Sequence, residues 1–253
     1  MKSKYILALS GNDIFSGGGL HADLTTYTVN GLHGFVAVTC LTAMTEAGFE
    51  VIPVEDAVFE KQLLSLQSVN FAAIKLGLLP NVAIAKQALE FVRSHEGLPI
   101  VLDPVLVCKE THDVEVNDLR KELLAFFPYV TVVTPNLAEA ELLTQRKIQT
   151  VEEMKEAART LHELGAPHVV IKGGNRLDQR RAIDVYYDGA EYYVLESQVV
   201  AKNNTGAGCT FASSIASQLA LGVSMRDAVS VSKDFVLRAI QASDDYGVVQ
   251  YES

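Results

Sequence analysis

Apolar positions along this chain alternate between two spacings: short continuous runs, and longer stretches in which they recur every three or four residues. Tyr5 to Ser10 is a short run stopping at Gly11, the signature of a buried strand. The glycine-rich stretch Asn12 to Gly19 then feeds a helical pattern from Leu20 to Asn30, closed by Gly31. Strands are predicted over Phe35–Leu41 and Val51–Val54. Asp56 caps a helix with apolar positions at Val58, Phe59, Leu63, Leu64 and Leu66. The alternation continues with a strand at Phe71–Gly77, a helix at Pro80–Ser94 that starts on proline, and a strand at Ile100–Leu102. Residues 105–116 lack a period and read as a loop. A helix is predicted from about Asp118 to Phe126, a strand at Val130–Val133, helices at Leu137–Leu143 and Val151–Leu164, and a strand at His168–Ile171. Ala182–Tyr187 and Glu191–Val200 flank Asp188-Gly189 as a hairpin, and helices at Cys209–Leu221 and Arg226–Ser243 follow.

Strands alternating with helices imply right-handed βαβ units. The predicted fold is one α/β domain over residues 1–253, with a mostly parallel sheet, helices on both faces and the late hairpin at one edge. Composition agrees: 253 residues with 49% hydrophobic and 21% charged suffice for a sizeable core. The net charge of −10 and the absence of a Lys/Arg cluster beyond Arg180-Arg181 exclude a nucleic-acid surface. No apolar run approaches the ~20 residues of a membrane span, and Met1-Lys2-Ser3-Lys4 does not open a signal peptide. Three widely spaced cysteines, Cys40, Cys108 and Cys209, suggest a reducing compartment. A soluble, cytoplasmic protein is expected.

Open parallel sheets bind ligands beyond the C-terminal ends of their strands. Those positions hold Asn12 and Asp13, Lys75 and Gly77, Asp103, Asn136 with Glu139, Lys172-Gly173-Gly174, and the turn Gly206-Ala207-Gly208-Cys209. Carboxylates, amides, a lysine and two glycine turns on one rim suit a nucleotide phosphate with Mg²⁺. Gly206 to Gly208 bring bare backbone to a helix start, where unpaired N–H groups and the macrodipole favour an anion. Neither a Gly-x-Gly-x-x-Gly after the first strand nor a Gly-x-x-x-x-Gly-Lys-Ser/Thr occurs, which disfavours a dinucleotide dehydrogenase and a P-loop kinase.

The segments Ser10-Gly11-Asn12-Asp13 through Gly17-Gly18-Gly19-Leu20-His21-Ala22-Asp23-Leu24, Ile74-Lys75-Leu76-Gly77-Leu78-Leu79, Asp103-Pro104-Val105-Leu106-Val107-Cys108-Lys109, Val133-Thr134-Pro135-Asn136-Leu137-Ala138-Glu139-Ala140 and Ile171-Lys172-Gly173-Gly174 with Gly206-Ala207-Gly208-Cys209-Thr210 resemble the ribokinase superfamily, in its hydroxymethylpyrimidine kinase and pyridoxal kinase branch. The resemblance implies a three-layer αβα sandwich that transfers the γ-phosphoryl of ATP to a primary hydroxyl. It implies that Gly206, Ala207 and Gly208 form an anion hole, and that Cys209 is a base whose thiolate the helix N-terminus would favour. Lys172, Asn136, Thr205 and Gly173 would serve ATP, and Glu139 and Asp103 would lie at Mg²⁺. Asp13, Gly18, Asp23, Met44 and Leu78 would surround the heterocycle. Relatives are often homodimers.

The branch contains two substrates. Hydroxymethylpyrimidine kinases usually read Thr-Ala-Gln-Asn-Thr where this chain has Thr42-Ala43-Met44-Thr45-Glu46, and a thioether cannot make the paired hydrogen bonds of that amide. Met44, and Cys108 in Asp-Pro-Val-x-Val-Cys-Lys, resemble the Gram-positive pyridoxal kinases, in which the lid cysteine can add to the pyridoxal aldehyde. Lys109 to Asp113 would form a lid that excludes water. Pyridoxal kinase is therefore the leading expectation. Hydroxymethylpyrimidine or phosphomethylpyrimidine kinase is the alternative, and a vitamin-binding protein without catalysis is a third reading. Cys40 reads as core.

Overall fold

The computed structural model describes residues 4–106 and 113–250. The strands among them form one nine-stranded sheet in the order β3-β2-β1-β4-β5-β6-β7-β8-β9. These strands are β1 Tyr5–Asn12, β2 His33–Thr45, β3 Gly48–Pro53, β4 Phe71–Leu76, β5 Ile100–Leu102, β6 Val132–Val133, β7 His168–Lys172, β8 Arg181–Tyr187 and β9 Tyr192–Gln198. From β2 across to β7 every neighbour pair is parallel, while β8 and β9 run antiparallel at one edge, as the hairpin pattern predicts.

The helices are α1 Gly19–Val29, α2 Asp56–Leu66, α3 Val82–Arg93, α4 Asp113–Ala125, α5 Leu137–Thr144, α6 Val151–Glu163, α7 Ala207–Leu221 and α8 Met225–Gln241. The period-2 pleat of β1 shows how the layers form. Leu7 and Leu9 face the core built with Phe59, Ile84, Leu89, Leu137 and Leu161 of α2, α3, α5 and α6. Ile6 and Ala8 face the core of Tyr27, Phe211, Ile215 and Val229 from α1, α7 and α8. Both faces of the inner strands are therefore covered, as a parallel sheet requires.

Several boundaries shift by up to three residues from the prediction, and two shift further. The second strand continues past Leu41 to Thr45 and turns back antiparallel through β3, with Met44 paired to Phe49. This two-stranded ribbon is the other edge of the sheet, and its polar residues hid it from an apolar-run criterion. The helix expected near Asp118 starts at Asp113. Its first turn is acidic in sequence, which suits a helix N-terminus without giving an apolar period.

Candidate active site

The N-terminus of α7 sits against the glycine loop that follows β1. Gly206, the N-cap of α7, has φ +84°, a left-handed conformation that glycine takes without steric cost. A Cβ at this position would collide with the Gly17 carbonyl oxygen and lie 3.2 Å from the Gly18 Cα. The two loops thus touch backbone to backbone. Gly206→Ala is expected to cost about 2 kcal/mol or more in stability, measured by urea unfolding; an unchanged midpoint would mean that the loops part easily.

First-turn amides of a helix need outside partners. Here Ala207 N donates to Asn204 O (3.0 Å) and Thr210 N to Gly206 O (2.9 Å). Ala207, expected in the anion hole, spends its amide inside the turn. The Gly208 and Cys209 amides, which have no backbone acceptor among the described residues, are the first-turn donors left for an anion. The first turn of α7 itself carries no acidic side chain.

Three further groups converge here. Asp13 Oδ2 accepts the Gly18 amide at 2.8 Å. A Cβ on Gly18 would stand 3.5 Å from Gly206 Cα, 3.6 Å from Asp13 Oδ2 and 4.0 Å from Cys209 Sγ. On the other side Lys172, at the end of β7, donates to Asp103 Oδ1 at 2.8 Å, and a Cβ on Gly208 would come within 3.2 Å of its Nζ. Burial opposes the Lys172 charge, but Asp103 and Glu139 hold its pKa above the ordinary lysine value.

Asn136 and Glu139 form the capping box of α5: Glu139 N donates to Asn136 Oδ1 (2.9 Å) and Asn136 N to Glu139 Oε2 (2.7 Å). Burial raises the Glu139 carboxyl to about 7, with Lys172 opposing, Asp103 adding, and the Asn136 and Leu106 amides opposing. Among the described residues no three His, Cys, Asp or Glu side chains converge as a metal cage. Two nearly buried carboxylates, Asp103 and Glu139, still fit Mg²⁺, which takes one or two carboxylates and fills its other positions with phosphate and water.

Cys209 departs from its expected acidity. Burial pushes its thiol up to about 11, Lys75 opposes, Asp103 and Asp23 add, and the Gly19 amide opposes. Desolvation by the packed surroundings outweighs the helix N-terminus, although Cys209 is only half-buried by surface. Alkylation at Cys209, followed by mass mapping of its peptide, is expected to accelerate with pH beyond 9. A plateau below pH 8 would contradict this.

Beside these groups opens a cavity of about 1010 Å³, whose lining includes Asn136, Lys172, Gly173, Gly174 and Gly208 as well as the apolar Val199, Val200, Val236, Leu237 and Ile240. A lining that combines glycines, polar groups and apolar side chains suits a ligand with both phosphates and a base.

The model of the family described as phosphomethylpyrimidine kinase matches residues 13–252. The chain belongs to that family. It is 36% identical to the pyridoxine kinase of Bacillus subtilis over 94% of this chain and 90% of that one. It is also similar to the structure of the pyridoxal kinase from Staphylococcus aureus in complex with ADP, with TM-score 0.91 and 38% identity over 99% of this chain and 94% of that one. The same kinase in complex with pyridoxal gives TM-score 0.90 and 38% identity over the same shares of the two chains.

Within this family member the other predicted site residues separate. Gly173 lines the cavity, and a Cβ there would meet the Ile183 carbonyl oxygen. Thr205 directly precedes the Gly206 turn, and its amide donates to Asn203 Oδ1 at 3.0 Å. Leu78 follows β4, and its carbonyl accepts from Thr39 Oγ1 at 2.7 Å. Met44 stands 57% exposed on the β2–β3 ribbon, two residues beyond Thr42, whose hydroxyl accepts the Ile14 amide at 3.0 Å. Cys108 and the lid expected from Lys109 lie outside the described residues, apart from Asp113, which opens α4.

Asp23, expected at the heterocycle, is fully buried. It takes two hydrogen bonds from Lys75 Nζ (2.8 and 3.0 Å) and one from Ser213 Oγ (2.6 Å). A carboxylate so enclosed ties α1, β4 and α7 together. Burial opposes the Lys75 charge, and Asp23 overcomes it, raising the lysine pKa.

Two cavity residues escaped the sequence reading. Lys233 Nζ donates to Asp184 Oδ2 (2.7 Å) and to Ala182 O (3.0 Å), while Asp184 Oδ1 accepts the Gly173 amide at 3.0 Å. The pair braces the Lys172-Gly173 turn against α8. The signal was present: a carboxylate inside the apolar run of β8, and a lysine on the buried stripe of α8.

Proposed function

We propose that this chain transfers the γ-phosphoryl group of ATP to the 5′-hydroxyl of pyridoxal, pyridoxine and pyridoxamine. The observation that carries the reading is the convergence of Gly18, Gly206, Cys209 and the Lys172–Asp103 pair on one helix N-terminus. It stands beside a slot able to take a nucleotide. The similarity to a kinase solved with ADP and with pyridoxal supports the choice of both substrates.

Phosphoryl transfer needs positioning and charge stabilisation more than covalent chemistry. In this proposal the Gly208 and Cys209 amides and the Lys172 ammonium hold the oxygens of the transferring group. Asp103 and Glu139 would hold Mg²⁺, which when bound neutralises charge on the phosphates. Glycine at position 18 keeps the approach to Cys209 open to the acceptor hydroxyl, and Cys209 takes that hydroxyl's proton. Its pKa near 11 makes the thiolate scarce at neutral pH and strongly basic once formed. The sign follows: the base is active when deprotonated, so kcat is expected to rise with pH between 7 and 9 without levelling. A kcat independent of pH over that range would argue against Cys209 as the base.

The family description favours one second reading, phosphorylation of a pyrimidine of thiamine synthesis. Release of ADP with pyridoxal, pyridoxine and hydroxymethylpyrimidine side by side separates the two. The proposal expects the highest kcat/KM with a B6 vitamer; a higher value for the pyrimidine would replace the substrate. No helix among the described residues is long and apolar enough to cross a membrane. A cytoplasmic homodimer of single-domain chains belongs to the same proposal, with the oligomer measured by light scattering.

A further inference from the structure

The segment after α8, residues 244–250, has no regular secondary structure, yet it touches both loops of the site. Val248 N donates to Thr205 O at 3.0 Å. Asn203 Nδ2 donates to the carbonyls of Asp244 (3.2 Å) and Asp245 (3.0 Å), while its Oδ1 accepts the Thr205 amide. These bonds hold the strand of chain that enters Gly206. Beyond Cys209, Gln250 Nε2 donates to Thr210 Oγ1 at 2.7 Å, with both residues buried.

The glycine loop is gripped from the same side. A Cβ on Gly17 would strike the Tyr246 carbonyl oxygen, and one on Gly247 would fall 2.8 Å from both Gly17 Cα and Thr205 O. The Tyr246 and Phe15 rings stack at 6.2 Å. The segment is itself pinned: Asp244 Oδ1 accepts the amides of Tyr246 (2.8 Å) and Gly247 (3.1 Å), and Val249 N reaches Ala239 O of α8 at 3.1 Å.

We infer that residues 244–250 form a clasp that sets the spacing between the glycine loop and the first turn of α7, with Gly247 and Gln250 as positioning residues for phosphoryl transfer. The inference rests on the reading of Gly206 to Cys209 as the transfer site. Neither Gly247 nor Gln250 lines the cavity. Their substitution is therefore expected to act more on the transfer step than on nucleotide binding. A displacement of ~1 Å at reacting groups can cost on the order of a hundredfold in rate.

The test compares three proteins with the wild type. Gly247→Ala forces a methyl group between the loops and is expected to lower kcat tenfold or more, with the Kd for ADP within threefold. Gln250→Leu leaves the Thr210 hydroxyl buried without its partner, and is expected to lower both Tm and kcat. Thr210→Val/Gln250→Leu removes both polar groups and is expected to regain much of the Tm while kcat stays low. A purely structural bond would let kcat recover with Tm, which would overturn the inference. So would unchanged kcat in folded Gly247→Ala. If Gly247→Ala does not fold, the Thr210 and Gln250 pair decides alone. Cys209→Ala run alongside separates the failures: if it is inactive while the clasp variants turn over normally, the clasp is wrong and the site stands. If Cys209→Ala is also active, the assignment of Cys209 as the base fails, and the clasp is judged on Gly247→Ala and the Thr210 and Gln250 pair.

Discussion

Cys209→Ala is expected to lower kcat by about two orders of magnitude or more, with ATP affinity changed less than threefold. General-base assistance contributes about 10²–10⁴ in rate. The cavity that would take the nucleotide is lined by Lys172, Gly173, Gly208 and the α8 side chains, without Cys209. Truncating the thiol therefore removes the proton acceptor and leaves the phosphate contacts. The variant should also lose the rise of kcat with pH. Steady-state kinetics with ADP release as readout checks both parts. A variant within fivefold of wild type would assign the proton to another acceptor, with the Gly208 and Cys209 amides carrying the catalysis alone.

The second large effect concerns stability. Lys75→Met is expected to cost about 3–5 kcal/mol, because it strands the Asp23 carboxylate in the interior. Lys75 and Asp23 have no exposed side-chain surface, and among the described residues Ser213 supplies the one other hydrogen bond to that carboxylate. The double variant Lys75→Met/Asp23→Leu is expected to recover most of the loss, since the uncompensated charge is gone and only a hydroxyl is left wanting. Urea unfolding of the two variants measures the difference. Equal stability of Lys75→Met and wild type would mean that water reaches the pair. The network ties α1, β4 and α7 together directly under Cys209, so activity should fall with stability in the single variant.

The layered fold was legible because inner parallel strands announce themselves as apolar runs and their helices as 3.6-residue stripes. Ile100–Leu102 and the Arg181–Gln198 hairpin are examples. The β2–β3 ribbon was less legible, because its outer half, Leu41 to Thr45, is mixed in polarity and half open to solvent. The site was legible as an address. Asp13, Gly18, Asp103, Asn136, Glu139, Lys172 and Gly206 all follow strands, and topology delivers them to one rim.

What an address does not supply is direction or solvation. Asp23 is near the rim in sequence, but α1 turns it inward onto Lys75. Cys209 stands at a helix N-terminus, yet burial decides its acidity. Gln250 and Gly247 had no signal, because an irregular segment with no period carries its information only in the contacts it makes.

The most direct measurement is the fate of labelled γ-phosphoryl from ATP in the presence of pyridoxal and Mg²⁺. The account predicts that the label appears in pyridoxal 5′-phosphate, one for each ADP formed, and that Cys209→Ala slows its transfer by about two orders of magnitude or more. Label found only in inorganic phosphate, or ADP formed at the same rate without pyridoxal, would contradict it.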